Sequence, residues 1–355
     1  MLAEMPAFEV IERLFDGIPK DDIVSWCSSY YDLPTSVSSR FIDEVKTLFD
    51  QQIIAEYGQP GEVPFSTEFA VPDPLLYVQY YRIFDQTYRA DYETINLYDF
   101  FNSIFGHLVL NNPPETDHCF QIFLNNGNFV LNLDGSLMGT WDSMSLNLLA
   151  GKLFLELLNN QHKILPADWM AVFHASAVGD GKNCIVFTGD SGNGKSTVSA
   201  LLMASGLDLL ADDIVRVDAS LHHVFYLPVA LSIKKNALDT LLPLFPELEF
   251  ADEFYNPIQN KTFCYLAPND LANRCVLSYP CKAFVFVKYQ KDCGLVLETM
   301  PHDIAFQHLV PSSWISPLPK VASRFLDWFL TMPCYRLTYS DNDAMLSAVR
   351  RLFGE

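Results

Sequence analysis

Residues 174–213 read HASAVGDGKNCIVFTGDSGNGKSTVSALLMASGLDLLADD and combine a glycine-rich loop with strand and helix patterns. Residues 182–188 are a short β-prone apolar run, which predicts a buried strand. Residues 189–196, GDSGNGKS, follow at once and match the phosphate-loop pattern GxxxxGK[ST]. From Lys195 onward the sequence is compatible with a helix that stops at Gly206. The motif therefore lies in the strand–loop–helix order that phosphate binding requires.

The residue types of this loop suit a bound nucleotide. Glycines let the backbone wrap closely around phosphate oxygens and direct its N–H groups inward at the positive end of the following helix. We expect Lys195 to reach the β- and γ-phosphates and the Ser196 hydroxyl to bind Mg²⁺. A glycine loop without a ligand is the alternative. The predicted nucleotide-binding set is Gly189, Asp190, Ser191, Gly192, Asn193, Gly194, Lys195, Ser196 and Thr197.

Two adjacent acids, Asp212 and Asp213, close a second apolar strand pattern, LDLLADD, that begins at Leu207. We expect this strand to return beside the first, which would put both carboxylates next to the loop. Adjacent strand residues point to opposite sides, so the two acids need not share a task. One can hold or orient Mg²⁺, and the other can accept a proton from an attacking hydroxyl. A solvated turn after a strand is the alternative.

The stretch 174–213 resembles the catalytic core of the HPr kinase/phosphorylase family, which runs from a histidine through a GDSGxGKS loop and a helix to an aspartate pair. His174, the loop and the two aspartates stand at the family's intervals. The resemblance implies an α/β P-loop kinase domain of the HPr kinase/PEP carboxykinase type, transferring phosphate from ATP to a serine hydroxyl. It implies Asp212 as base, His174 as its support, Asp213 and Ser196 at Mg²⁺, and Lys195 on the phosphates.

A looser resemblance, to HPr-kinase-like proteins of peptide-modification clusters, extends further along the chain. Its carriers are YLPVALSIKK at 226–235 and AFVFVKYQ at 283–290. The resemblance implies that Lys234 or Lys235 lies near substrate or phosphate, and surface lysines at a strand end are the alternative. The LEVRG-type signature of bifunctional members is not found after Asp213. Phosphorolysis is therefore not expected. HPr itself is not the expected acceptor either, because residues 1–150 do not resemble the usual partner domain of that family.

The N-terminal residues 7–57 carry three helical patterns, which predict a small helical or winged-helix unit. Their segments RLFDG, DDIVSWCSSYYDL and VSSRFIDEVKTLFDQQII resemble the helical part of PqqD-like peptide-binding domains. This resemblance implies peptide capture, and a plain packing domain is the alternative. Residues 60–74 are rich in proline and indicate a linker.

Three domains are predicted for the chain, within an overall α+β organisation. Residues 1–58 form the small helical domain, 59–165 an α+β intermediate region that packs on the kinase, and 166–355 the P-loop kinase domain. In the intermediate region, Asn126-Gly127 predicts a hairpin and Asp134-Gly135 a further turn. The amphipathic stretch 143–161 after them predicts a helix.

Composition narrows the partners and the compartment. The 355 residues are 50% hydrophobic and 19% charged, enough for two or three domains with buried cores. The 43 acidic residues outnumber 23 lysines and arginines, and a net charge of -20 disfavours nucleic acid and anionic membranes as partners. No signal-peptide pattern opens the sequence, and the eight cysteines lack a CxxC pair. A cytoplasmic protein is expected, and a homo-oligomer is left open.

The leading hypothesis is an ATP- and Mg²⁺-dependent kinase that acts on a serine-type hydroxyl of a peptide or protein. A ribosomally synthesised peptide is the acceptor class that the N-terminal resemblance favours. Two alternatives stand beside it: a small-molecule kinase acting on free serine or a sugar, and a nucleotide-dependent peptide-binding module with little turnover. PEP carboxykinase, which shares the phosphate-loop architecture, is a further alternative.

Overall fold

The computed structural model describes residues 10, 13, 18–31, 33–43, 45, 71–111, 115–164, 169–256, 261–269 and 276–354. The chain divides into two compact units, Met1–Ser66 and Thr67–Glu355. The predicted boundary at 58/59 and most of the predicted linker lie outside the described residues, and the predicted boundary at 165/166 falls within the second unit. Among the described residues, no helix is both long and apolar enough to span a membrane.

The first unit is helical wherever it is described. Helix α1 (Lys20–Tyr30) and a helical segment at residues 35–43 confirm two of the three predicted helices. Ile23 and Cys27 of α1 and Ile42 of the second segment share one buried apolar cluster. The first predicted helix and the end of the third lie largely outside the described residues.

The second unit begins with a five-stranded sheet in the order β1-β2-β3-β4-β5, covered by two helices. Its strands are antiparallel neighbours except for the parallel pair β2 and β3. The strands are Tyr77–Ile83, Gln86–Tyr92, His118–Asn125, Asn128–Leu133 and Ser136–Trp141, and the helices are α2 (Ile95–Phe105) and α3 (Leu146–His162).

Both predicted turns of this sheet are confirmed. Asn126 and Gly127 have φ of 50° and 80°, and Asp134 and Gly135 have φ of 50° and 78°. Positive φ at both central residues is typical of type I′ hairpin turns, which Asn-Gly and Asp-Gly favour. Helix α3 confirms the amphipathic prediction for residues 143–161.

The remaining strands form a larger sheet and a small one. The order of the ten-stranded sheet is β17-β6-β10-β11-β15-β8-β7-β9, with β18 paired to β15 and β16; the small sheet runs β12-β14-β13. Strands β6 to β18 are Trp169–Phe173, Ser176–Gly179, Cys184–Thr188, Asp208–Ala211, Val215–Asp218, His223–Phe225, Leu231–Lys234, Phe254–Asn256, Lys261–Leu266, Ser278–Tyr289, Leu295–Thr299, Ser313–Ile315 and Cys334–Tyr339.

Helices cover the faces of these sheets, so the chain has the mixed α/β architecture that the sequence predicts. They are α4 (Lys195–Ala204), α5 (Leu238–Leu241), α6 (His302–Leu309), α7 (Pro319–Phe329) and α8 (Asn342–Phe353). One buried cluster joins the five-stranded sheet, α3 and α7 to one face of the large sheet, and a second joins α4 and α8 to the other. Every residue of β8 is buried, as is typical of a strand covered on both faces.

The strand directions place the two predicted motifs at one edge. Strand β7 is antiparallel to both β8 and β9, so β8 and β9 run in the same direction. The expectation that the LDLLADD strand lies directly beside the first strand is wrong, because β7 separates them. Their carboxyl ends nevertheless meet the same edge of the sheet.

Candidate functional site

The glycine loop, residues 189–194, connects the carboxyl end of β8 to the first residue of α4. All three of its glycines have positive φ: 137° at Gly189, 101° at Gly192 and 95° at Gly194. A Cβ atom at Gly189 would stand 2.8 Å from the carbonyl oxygen of Val287 on β15. Only glycine fits where these strands approach so closely, so the loop's path follows from its composition.

Polar contacts hold the rest of the glycine loop in place. The Asn193 N–H donates to the Asp190 carbonyl at 3.1 Å, and the Asn193 carbonyl accepts from the Tyr289 N–H at 3.0 Å. Asp190 and Ser191 are exposed at the tip, and Thr197 lies in the first turn of α4. The sequence-predicted loop residues therefore form one continuous feature at the N-terminus of a helix, where backbone N–H groups favour an anion.

Lys195 folds back onto this loop from the start of α4. Its Nζ donates to the Gly189 carbonyl at 2.7 Å and lies 3.5 Å from the Asp190 carbonyl, and the residue is only 7% exposed. Burial lowers the pKa of the amine, against the attraction of the two carboxylates of Asp213 and Asp212. A buried ammonium at the positive end of a helix strengthens the preference for a negatively charged ligand.

Ser196 and Asp212 meet across the edge of the sheet. The Ser196 Oγ lies 3.0 and 3.1 Å from the two carboxylate oxygens of Asp212. The Asp212 side chain is 3% exposed and also accepts the Ser232 N–H at 3.2 Å. Asp212 follows β9 directly, so the shared direction of β8 and β9 explains how residues sixteen apart in sequence come together.

The environment of Asp212 favours its neutral form. Burial and the neighbouring charge of Asp213 raise the pKa of the Asp212 carboxyl to about 8, against the hydrogen bonds from Ser196 and Ser232. A carboxyl that exchanges its proton near neutral pH is suited to acid–base work.

Asp213 has an unusual backbone. Its φ is 63°, and the Ile214 N–H donates to the Asp212 carbonyl at 2.8 Å, which closes a three-residue γ-turn around Asp213. A positive-φ γ-turn is rare and strained for a residue other than glycine, at a cost of about 1–3 kcal/mol. The two acids on this turn differ in their surroundings: Asp212 is buried and Asp213 is exposed.

His174, at the end of β6, contacts Asp213. Its Nδ1 lies 3.3 Å from the Asp213 carbonyl oxygen and 3.9 Å from the Asp213 carboxylate. Its backbone N–H donates to the Ser312 carbonyl at 2.9 Å, which fixes the chain there. Any support that His174 gives Asp212 would therefore pass through Asp213.

Two further lysines approach the glycine loop from the small sheet. The Lys234 and Lys261 amines donate to the Ser191 Oγ at 3.1 and 3.4 Å. Lys235 points elsewhere, since its amine pairs with the Glu253 carboxylate at 2.9 Å. Of the two lysines implied by the resemblance, Lys234 is thus the one at the loop.

These lysines concentrate positive charge in an acidic protein. Burial and the Lys261 ammonium lower the pKa of Lys234, and the Lys195 ammonium acts in the same direction. None of the amines of Lys195, Lys234 and Lys261 forms an ion pair with a carboxylate of a described residue. Their mutual repulsion would be relieved by a bound anion.

The oxygen atoms beside the loop suit a Mg²⁺ ion that is bound partly by the protein and partly by the phosphates of a nucleotide. No group of three or more His, Cys, Asp or Glu residues in the described part of the chain could hold a metal ion. Mg²⁺ commonly uses one or two carboxylates, several waters and substrate phosphates. The Ser196 hydroxyl at the start of α4 and the exposed Asp213 carboxylate are oxygen groups of this kind.

Sequence reasoning missed Lys261 and Tyr265, both on β14. Burial, and after it the charges of Asp213 and Asp212, raise the pKa of Tyr265 well above its ordinary value. The alternation Lys261, Phe263, Tyr265 would have indicated a strand with these side chains on one face. Nothing local in the sequence indicates what that face contacts.

No protein-family model matches the chain, and a search of curated proteins finds no relative.

Proposed function

We propose that this protein is an ATP- and Mg²⁺-dependent kinase that transfers the γ-phosphoryl group to a serine-type hydroxyl of a peptide or protein. The proposed fold of residues 166–355 is a P-loop kinase domain of the HPr kinase/PEP carboxykinase type. The observation that carries the proposal is the contact of Ser196 with the buried Asp212, at the N-terminus of the helix whose Lys195 closes the glycine loop.

The donor side of the reaction uses the positive groups of the loop. Backbone N–H groups of residues 189–194 and the amines of Lys195, Lys234 and Lys261 would hold the triphosphate. They would also stabilise the charge that spreads over the transferred phosphoryl oxygens and the departing diphosphate. Mg²⁺, when bound, would neutralise phosphate charge, with Ser196 and Asp213 as its protein ligands.

The acceptor side uses Asp212. The acceptor hydroxyl oxygen forms a bond to the γ-phosphorus while the bond from that phosphorus to the β,γ-bridging oxygen breaks, and ADP leaves with the bond's electrons. The hydroxyl proton passes to the Asp212 carboxylate, which acts as general base. Burial of Asp212 suits this task, because a carboxylate with weak hydration binds a proton readily.

A peptide acceptor is favoured by the resemblance of the first unit to peptide-binding domains. The helical segments that the structure describes there, α1 and residues 35–43, are compatible with it. The cytoplasm, which supplies ATP and Mg²⁺, is the compartment that we propose.

The test is phosphoryl transfer by the purified full-length chain. The protein is incubated with Mg²⁺ and γ-labelled ATP, once with a degenerate serine-peptide library and once with a metabolite pool. We expect labelled peptide from the wild type, none from Asp212→Asn, and wild-type labelling from the exposed control Asp239→Asn. Asp212→Asn should still bind ATP, because the loop and its lysines are intact.

Three results would contradict the proposal in different ways. Label only in free serine or a sugar would indicate a small-molecule kinase. Tight ATP binding without transfer to any hydroxyl would indicate a nucleotide-dependent binding module. Equal transfer by the wild type and Asp212→Asn would remove Asp212 from the mechanism.

A further inference from the structure

An aromatic cleft of about 230 Å³ opens beside the small sheet of the second unit. It lies between α2, β4, the turn before α3, and the strands β13 and β14. No charged residue lines it, and amide side chains accompany the apolar ones. Its lining includes Phe100, Phe129, Met144, Asn147, Phe254 and Phe263.

The cleft and the glycine loop share one face of the small sheet. In its register, Phe263 pairs with both Lys234 and Phe254, and cross-strand partners point to the same face. Lys261 and Tyr265, two residues to either side of Phe263 on β14, point the same way. This one face therefore carries the lysines that contact Ser191 and the aromatic wall of the cleft.

Tyr265 packs against the aromatic wall of the cleft. Its ring lies 5.5 Å from the Phe263 ring, 5.9 Å from the Phe254 ring and 6.1 Å from the Phe100 ring, between centroids. Lys261 and Phe263 are about 7 Å apart along the strand. The cleft-lining Phe263 is therefore two strand residues from Lys261, whose amine contacts Ser191 of the loop.

We propose that the aromatic cleft is an acceptor subsite that binds an uncharged apolar side chain of the peptide, one to three residues from the serine that receives the phosphoryl group. This inference rests on the proposed kinase function. The cleft is smaller than the pockets of about 300–1,000 Å³ that hold whole small molecules or cofactors, so it suits a single side chain. Exposed amides at its rim, such as Asn147, suit the backbone of an extended peptide.

The experiment profiles acceptor preference with the full-length chain. A library of serine peptides, randomised at the flanking positions, is phosphorylated by the wild type and by variants, and the products are sequenced. Met144→Glu places a charge at the cleft on a residue that is 51% exposed, so the fold should tolerate it. Asn147→Trp fills the opening instead. Leu221→Glu is the matched control, because Leu221 is 64% exposed in the turn between β10 and β11, outside the cleft.

We expect the wild type and Leu221→Glu to select an aliphatic or aromatic residue near the serine by at least tenfold over Asp or Glu. Met144→Glu and Asn147→Trp should lose most of that preference and still bind ATP with unchanged affinity. Transfer by the wild type without any apolar preference would overturn the subsite and leave the kinase proposal intact. The same would follow if both cleft variants kept the apolar preference of the wild type. Absence of transfer to every peptide by the wild type would reject the kinase proposal, and the subsite with it.

Discussion

The hydroxyl of Ser196, in the first turn of α4, contacts both carboxylate oxygens of Asp212, the residue that follows β9. One contact thereby joins the glycine loop to the acid pair. It also leaves the Asp212 carboxyl in a buried position where the ionised form is disfavoured. The stability of the metal-free protein should therefore depend on the ionisation of this one group.

Replacing Asp212 with Asn should stabilise the metal-free protein at high pH. The pKa of Asp212 in the folded protein is about 8, above the ordinary carboxyl value of 3.8, so the contribution of Asp212 to stability is fully present below pH 3.8 and is lost as pH rises through 8. In EDTA, the Tm of Asp212→Asn should exceed that of the wild type by roughly 5 °C at pH 9, with a smaller difference at pH 5. A difference that does not change with pH would show that Asp212 is not held neutral.

Gly189→Ala should destabilise the fold much more than Gly192→Ala. A Cβ at Gly189 meets the Val287 carbonyl oxygen at 2.8 Å, whereas nothing lies within 4 Å of a Cβ at Gly192. Both changes add strain at positive φ, of about 1 kcal/mol, and only the first adds a clash with the backbone. Urea unfolding should give a loss of roughly 3 kcal/mol for Gly189→Ala and about 1 kcal/mol for Gly192→Ala. Equal losses of unfolding free energy in the two variants would mean that the backbone of β15 moves aside without cost.

Lys234→Ala and Lys261→Ala should each weaken ATP binding by about tenfold, equivalent to 1.4 kcal/mol. Both amines contact Ser191 at the tip of the loop, within reach of bound phosphates. Lys235→Ala is the matched control, because Lys235 is adjacent to Lys234 in the chain and its own amine pairs with Glu253 instead of contacting the loop. Calorimetry with ATP at two salt concentrations should show the loss and a weaker salt dependence in the first two variants. A similar loss in Lys235→Ala would indicate a general charge effect.

Asp213→Gly and Asp213→Ala should separate the strain of the γ-turn from the loss of the carboxylate. Both remove the proposed Mg²⁺ ligand, so both should lower phosphoryl transfer. Glycine adopts a φ of 63° without penalty, and alanine does not. Thermal unfolding should therefore find Asp213→Gly more stable than Asp213→Ala by about 1–2 kcal/mol. Equal stability would argue against strain at this position.

His107 should make the fold sensitive to acid. Burial lowers its pKa to about 4, against the hydrogen bond to the Pro228 carbonyl. The stabilising contribution of His107 is fully present above pH 6.5, the ordinary pKa of histidine, and is lost as pH falls through 4. Because His107→Gln keeps a donor without the charge, its Tm should fall less than that of the wild type between pH 6.5 and 4. Burial also lowers the pKa of His162 to about 4, so part of the decrease in Tm should remain in His107→Gln. Parallel Tm curves would contradict this assignment.

The sequence predicts local features of the site well and long-range ones poorly. Strand β8, the glycine loop and α4 depend on an apolar run and on glycines at fixed spacing, and all three are confirmed. The position of Asp212 next to Ser196 also agrees with the expected edge of the sheet. Each of these features is encoded within about twenty residues.

The intervening strand and the third lysine are different cases. Strand β7 has only four residues, too few for a clear period, and its pairing between β8 and β9 depends on register. Lys261 reaches Ser191 from seventy residues away, through a sheet whose order no local pattern specifies. Such contacts arise from the packing of the whole unit.

Strand β7 has a consequence for any attempt to move this site into another protein. Because β7 separates β8 from β9, the strands that lead to the loop and to the acid pair lie two strand spacings apart, about 9.5 Å. The buried hydrogen bond from Ser199 of α4 to Ser176 of β7, at 2.8 Å, ties the helix to this spacer. A graft of residues 184–213 alone would omit β7 and would therefore lose this spacing. A functional graft would need at least the whole stretch from His174, because that stretch includes the four-residue strand β7 that sets the distance between β8 and β9.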